Sequence, residues 1–350
     1  MSKLIRSADH RVTIADVARE AGVSKGTVSL ALNGSPRISE DTRRRVEASA
    51  AALHYQPNHA AASLRKQTTQ AIALAVPDVS NPVYTEIAKS VQQAAKQRGY
   101  HLYLISTENQ PHEESHALDT LTRRLVDGLI LISLRGAAIL QEALRQVPGR
   151  VVVIGRLTQP VSDNVTVNSA AGASLALHHL WQAGCQHVAF INGAPGTVPA
   201  HERLRGVQDA YRTSGKILPA EYTVQADFTL DGGYRAAQEL LRREVPIDGL
   251  FCANDLMAVG AMRALRHHGL RVPDDVAVIG MDDIRDCLIT TPTLSSVSLL
   301  AAERGRLAAE LLFDRLSGRQ DAPPRQLTVS PILIPRESTQ VAHAAGLVDA

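Results

Sequence analysis

Residues 12–33 read VTIADVAREAGVSKGTVSLALN, and the fold of the N-terminal part turns on them. Thr13 stands three residues ahead of Asp16, the pattern of a helix start: the threonine caps the free amide at Asp16, and the carboxylate suits the positive end of the helix. Ile14, Val17 and Ala18 then share one face at helical spacing. Ala21-Gly22-Val23 makes a short turn, Ser24 caps again, and Lys25 to Leu32 form a second helix with Val28 and Leu32 inward. Asn33-Gly34-Ser35-Pro36 ends it. Ser39 caps a third helix, predicted from Glu40 to about His54, with Val46, Ala50 and Leu53 inward and Arg43, Arg44 and Arg45 near its start. Ala18, Gly22 and Val28 keep the spacing of a helix-turn-helix: a small residue for close approach, a glycine for the turn, a branched residue to lock the second helix.

Charge supports a polyanion partner for this part alone. Residues 1–68 hold 11 Lys/Arg against 6 Asp/Glu, whereas the other 282 residues hold 26 against 29. A basic head on a slightly acidic body suggests that only the head meets nucleic acid; a solubilising tail is the plainer reading of charge alone, and the helical spacing decides for DNA. The 350 residues make two or three domains, with 45% hydrophobic and 21% charged residues, ordinary for a globular protein. Three separate cysteines, Cys185, Cys252 and Cys287, argue against a disulfide framework, a zinc cluster or an iron–sulfur site. The first residues are polar and charged, and no run of 18 apolar residues follows, so a cytosolic protein with no membrane span is expected.

Residues 12–66 closely resemble the DNA-binding head and hinge of the LacI/GalR family of bacterial transcription repressors, and the resemblance continues to about Thr339. It implies that the helix after Ser24 enters the major groove, with Lys25, Gly26 and Leu30 at the base-reading positions. A solvated lysine and a core leucine are the plainer readings of Lys25 and Leu30. Thr13, Ser24, Thr27, Ser29, Asn33 and Tyr55 match positions that hold phosphates. Asn58, Ser63, Leu64 and Arg65 match the hinge, whose leucine wedges into the minor groove of a bent operator; an ordinary linker is the alternative. Ala62 departs from the arginine many members carry, which removes a contact.

Past residue 70 the style changes. Apolar runs at Ala71–Val76, His101–Ile105, Gly128–Ile132, Val151–Ile154, His187–Ile191, Gly249–Cys252 and Val276–Ile279 alternate with helical stretches at 84–98, 113–124, 169–183, 200–214, 232–243, 255–268 and 301–316. Such alternation means parallel sheets covered on both faces. No GxGxxG follows a strand and no GxxxxGK[ST] occurs, so dinucleotide and P-loop readings lack their fingerprint. The body resembles the family's two-lobed α/β fold, like that of periplasmic sugar-binding proteins. The division implied is a tail at 1–11, a head at 12–56, a hinge at 57–68, one lobe from 69–169 plus 300–328, a second from 170–299 plus 329–340, and a tail at 341–350.

Ligands of open α/β sheets lie beyond the carboxyl ends of the strands. The polar residues there include Asp78, Tyr84, Arg156, Arg203, Phe228, Asn254 and Asp282, a set of planar donors, acceptors and aromatics that suits a sugar. By resemblance, Arg203, Asn254 and Asp282 hold effector hydroxyls and Phe228 stacks on the ligand. Asn254 and Asp282 also read as helix or turn caps, and Phe228 as packing between elements. Arg156 suits an acidic or phosphorylated sugar, or pairs with an acid such as Asp163. No cofactor and no metal are expected. The resemblance implies a homodimer on a near-palindromic operator, since one short helix contacts few base pairs and the tail VAHAAGLVDA lacks the heptads of a tetramerising helix. The expected function is a repressor released from DNA by a sugar. The alternative is a relative of the same family that uses a corepressor or a non-sugar effector such as a purine, or that responds to a sugar phosphate or sugar acid. A transporter's solute-binding protein would leave the head without a purpose, and an enzyme lacks any nucleophile or metal motif.

Overall fold

The computed structural model describes residues 12–55, 68–136, 138–319 and 321–340. The chain divides into two units, residues 1–69 and 70–350. Asn58, Ser63, Leu64 and Arg65, and the tails at 1–11 and 341–350, lie outside the described residues.

The head has three helices, α1 (Ile14–Glu20), α2 (Lys25–Leu32) and α3 (Glu40–Ala52). Val17, Val28 and Val46, one from each helix, are fully buried against one another with Ala18, Ala31 and Ala50. Each buried valine contributes about 1.5–2 kcal/mol, a large share of what so small a core offers. Gly22 turns the chain from α1 to α2 at φ 63°, open to glycine without strain. Ser24 and Ser39 cap α2 and α3 by accepting from the amides of Thr27 and Thr42. At α1 Thr13 and Asp16 form a capping box, the threonine side chain toward the Asp16 amide and the Asp16 carboxylate accepting from both the amide and the hydroxyl of Thr13, at 3.0 and 2.7 Å. Helix α3 ends at Ala52 rather than His54, because His54 takes φ 51° and reverses the chain.

The body opens with β1 (Ala71–Val76), α4 (Pro82–Gln97), β2 (His101–Ser106), α5 (Pro111–Thr122), β3 (Gly128–Ile132), α6 (Ala138–Arg145), β4 (Val151–Ile154) and β5 (Asp163–Val167). It continues with α7 (Ser169–Gln182), β6 (Val188–Asn192), α8 (Val198–Thr213), β7 (Thr223–Gln225), α9 (Leu230–Arg242), β8 (Gly249–Cys252), α10 (Asp255–His267), β9 (Ala277–Met281) and β10 (Ser295–Ser298). The chain then supplies α11 (Ala301–Leu316), β11 (Gln326–Val329) and β12 (Ile332–Ile334).

Two six-stranded sheets result, in the orders β11-β5-β4-β3-β1-β2 and β12-β10-β9-β8-β6-β7. All neighbours are parallel except β10 and β12. Strands β1, β3 and β4 are buried throughout, as parallel strands with helices on both faces must be. The chain crosses between lobes three times, after β5, after β10 and after β11, so α11 packs on the first lobe although it follows the second in sequence. Its Gly305 lies so close to α4 that an added Cβ would stand 2.8 Å from the Ile87 carbonyl.

Helices α4, α5, α8 and α9 each begin two residues before the predicted start. In α4 and α5 the extra turn opens on Pro82 and Pro111, since a proline at the first helical position loses only an amide that would be unpaired anyway. Among the described residues no helix is long and apolar enough to cross a membrane, and no grouping of His, Cys, Asp and Glu could hold a metal ion.

Candidate functional site

On the head, α2 turns Val28 and Ala31 inward and leaves Lys25, Gly26 and Leu30 outward. Leu30 is 42% exposed, which removes the core-packing reading of that residue. The flanking hydroxyls are ordered: Ser24 Oγ and Thr27 Oγ1 lie 2.9 Å apart, and the Asn33 amide donates to the Ser29 carbonyl at 2.6 Å. Tyr55 rests its ring on the head core. Arg43, grouped by sequence with its basic neighbours, is turned back to the Ser35 carbonyl at 3.1 Å and to Glu40 at 3.4 Å.

In the body, the carboxyl ends of both sheets open onto one cavity of about 910 Å³. Every residue picked from the sequence for this purpose, Asp78, Tyr84, Arg156, Arg203, Phe228, Asn254 and Asp282, lines it. Their states differ. Arg203 is buried on α8, donates to the Ala253 carbonyl and lies 3.6 Å from Asp282. Its guanidinium also stands over the Phe228 ring, 5.6 Å from the centroid. The ring in turn fills the space above Gly193, where an added Cβ would come within 1.9 Å of it. Asn254 does cap α10, accepting from Met257 at 3.0 Å, while its amide donates to the Phe228 carbonyl at 2.9 Å. Asp78 is held in a turn by Ser80, with both contacts under 3 Å.

Asp282 and Phe228 sit at φ 115° and 67°, a backbone region costly for any residue but glycine. Such strain persists where the surroundings over-determine it, and here it aims both side chains into the cavity. Burial raises the Asp282 carboxyl above its ordinary range, opposed by Arg203 and Arg304. Burial likewise pushes the Tyr84 hydroxyl up, with Asp282 adding to the effect. Beneath Asp282, Asp255 accepts from Ser296 Oγ at 2.7 Å and from the Ile284 amide at 2.9 Å, and burial pushes its carboxyl up to about 7.

Arg156 does not meet Asp163. Its Nη1 lies 2.7 Å from Glu202 on α8, which also binds Arg205 at 2.6 Å. Asp163 is fully buried under Arg315 and Arg325, an anchor that ties β5 to the far end of α11 and to the start of β11. Sequence reasoning passed over Asn109, Asn164 and Arg304. All three line the cavity, and Asn109 Oδ1, Asn164 Oδ1, Arg203 Nε and Arg304 Nε are buried there without a hydrogen-bond partner. A polar atom left so costs about 1–3 kcal/mol, and that cost is recovered if a bound molecule meets it. The cavity thus presents donors, acceptors and one aromatic to a polar guest.

Residues 13–58 match the model of bacterial regulatory proteins of the lacI family, and residues 177–339 match that of a periplasmic binding protein-like domain. The ribose operon repressor of Escherichia coli strain K12 is 34% identical over 328 residues, covering 93% of this chain and 99% of that one. This chain belongs to the LacI family. The family's members are DNA-binding regulators of transcription, not enzymes, and the chain is a repressor of this kind. Among solved structures, a complex of the transcriptional regulator CelR with cellobiose is 33% identical and covers 94% of this chain and 100% of its own, with a TM-score of 0.71. The lac repressor dimer bound to operator and an anti-inducer is 28% identical, covers 95% and 100%, and has a TM-score of 0.84.

Proposed function

We propose that this LacI-family chain is a homodimeric repressor that reads a near-palindromic operator through α2 and is released from it by a sugar or sugar derivative bound between the lobes. The observation that carries the reading is the cleft itself. It is large enough for a small polyol and lined by opposed planar polar groups, and it keeps buried polar atoms of both lobes unpaired. Arg203 and Asp282 are assigned to ligand hydroxyls, Phe228 to the apolar face of a ring, and Tyr84 to a hydroxyl from the first lobe. The complex of a relative with cellobiose supports a carbohydrate guest.

On the head, exposed Lys25 and Leu30 are assigned to base edges, Gly26 to close approach of the backbone, and the neighbouring hydroxyls of Thr13, Ser24, Thr27 and Ser29, with Asn33 and Tyr55, to phosphates. The dimer follows from the two-fold logic of a short reading helix and from the relative crystallised as a dimer on its operator. Edge strand β2 offers a surface for it. Tyr103 and Leu104 are 58% and 52% exposed there, an apolar edge that isolated proteins rarely leave bare. Closing the cleft on its ligand rotates one lobe against the other and changes the spacing of the heads.

The test is operator binding by fluorescence anisotropy at fixed salt, against a panel of sugars, sugar acids, sugar phosphates and purines. At least a tenfold weakening by one sugar or sugar derivative is expected. Tighter DNA binding by any compound would reverse the sign of the switch, and a response to a purine alone would overturn the sugar.

A further inference from the structure

We propose that the effector carries a carboxylate, a sugar acid rather than a neutral sugar or a sugar phosphate, and that Arg304 is the residue that selects it. The inference rests on the reading of the cleft as the effector site. Arg304 lies on the cavity wall, and no hydrogen bond or ion pair to its guanidinium is found among the described residues. Its position is unfavourable for a cation in three ways. Burial penalises the charged guanidinium; it stands in the first turn of α11, where the helix dipole is already positive; and Arg203 is a second cation close enough to repel it. Only Asp282 and the Tyr84 oxygen offset these.

The other charges on the cavity wall are engaged or exposed. Glu202 takes Arg156 and Arg205 at the rim, Asp227 is held by Thr229 and Arg235, Asp78 is exposed and held by Ser80, and Glu108 is exposed. What remains at depth is two guanidiniums against one carboxylate. A guest with a single negative charge and two coplanar oxygens balances that set and matches the guanidinium fork. A phosphate dianion would bring a second charge against Asp282. A neutral polyol would leave the buried Arg304 Nε without a charged partner.

The experiment is calorimetric titration of the full chain with aldonic and uronic acids of five and six carbons, their neutral parent sugars, glucose 6-phosphate and hypoxanthine. One acid should bind at least tenfold more tightly than its parent. Arg304→Gln should cut that ratio at least fivefold, and Arg304→Lys should keep part of it. The ratio for the unmodified protein stands as a test even if a variant folds poorly. A neutral sugar that binds as tightly as its acid would overturn the proposal while leaving the sugar cleft intact, and Arg304 would then only balance Asp282. Binding of glucose 6-phosphate but of no acid would overturn the carboxylate. Binding of hypoxanthine alone, or of nothing in the panel, would overturn the sugar reading as well.

Discussion

Arg156 Nη1 and Glu202 Oε1 lie 2.7 Å apart, although one follows β4 in the first lobe and the other rides α8 in the second. A backbone bond runs beside them, from the Val198 amide to the Leu134 carbonyl at 2.7 Å, and it too joins the lobes. Together they form a clasp at the mouth of the cleft. The arginine is 57% exposed, so the pair is worth at most about 1 kcal/mol. Arg156→Ala should therefore weaken effector binding by about two- to fivefold, through easier opening, and leave operator affinity without effector nearly unchanged. Titration calorimetry and anisotropy on the same preparation check both; equal loss in the two would refute the clasp.

Gly26 separates stability from recognition. Its added Cβ would meet only Ser24 Oγ, at 3.6 Å, so the helix has room for alanine. Gly26→Ala should stabilise the head by about 0.5–1 kcal/mol, from helix propensity alone. If the backbone there approaches the bases, operator affinity should nonetheless fall, about tenfold or more. Thermal melting and anisotropy should move in opposite directions. A variant that gains stability and binds DNA normally would remove Gly26 from the interface.

Gly193 is the seat of the Phe228 ring. With a Cβ demanded within 1.9 Å of that ring, Gly193→Ala must push Phe228 out of place. Effector binding should drop by more than tenfold, and the head, a separate unit, should still bind operator. Intact effector binding in this variant would show that Phe228 is not a stacking face.

Asp255 makes stability fall as pH rises. Its folded carboxyl titrates near 7, above the ordinary value of 3.8, so between these pH values the folded chain binds more protons than the unfolded one. Stability from this residue is fully present below about pH 4 and is lost as pH climbs through 7. Half-buried His179, held below its ordinary value by desolvation, works the other way. The informative quantity is thus the difference between the parent and Asp255→Asn. The asparagine keeps both bonds, accepting from Ile284 and donating to Ser296 in place of accepting. The variant should gain on the parent between pH 5 and 8 by urea denaturation, and parallel curves would place the titration elsewhere.

The central strands were readable because a parallel strand buried on both faces is an unbroken apolar run; Ala71–Val76, Gly128–Ile132, Val151–Ile154 and Gly249–Cys252 match the expectation residue for residue. The edges were harder. Asp163–Val167 and Thr223–Gln225 are short and partly polar, and the two Pro-led helix starts look like loop. In the cleft, Asp282 was visible because it directly follows a strand, and Phe228 because it is an aromatic in the short loop three residues past one. Arg304 was not: in the stretch AAERGRL it reads as one more surface charge on an amphipathic helix. Only the αL turn at Leu300, φ 53°, and the return of α11 to the first lobe bring it to the cavity.

The triple crossing of the chain has a consequence for anyone building hybrids. Neither half of the body is a contiguous piece of gene. Cutting once near residue 168 would strand α11 and β11 with the wrong partner and strip the first sheet of its outer strand. A transplant of ligand specificity from a relative therefore needs three matched splice points, near 168, 299 and 330, and a library built on single recombination events would yield mostly broken molecules.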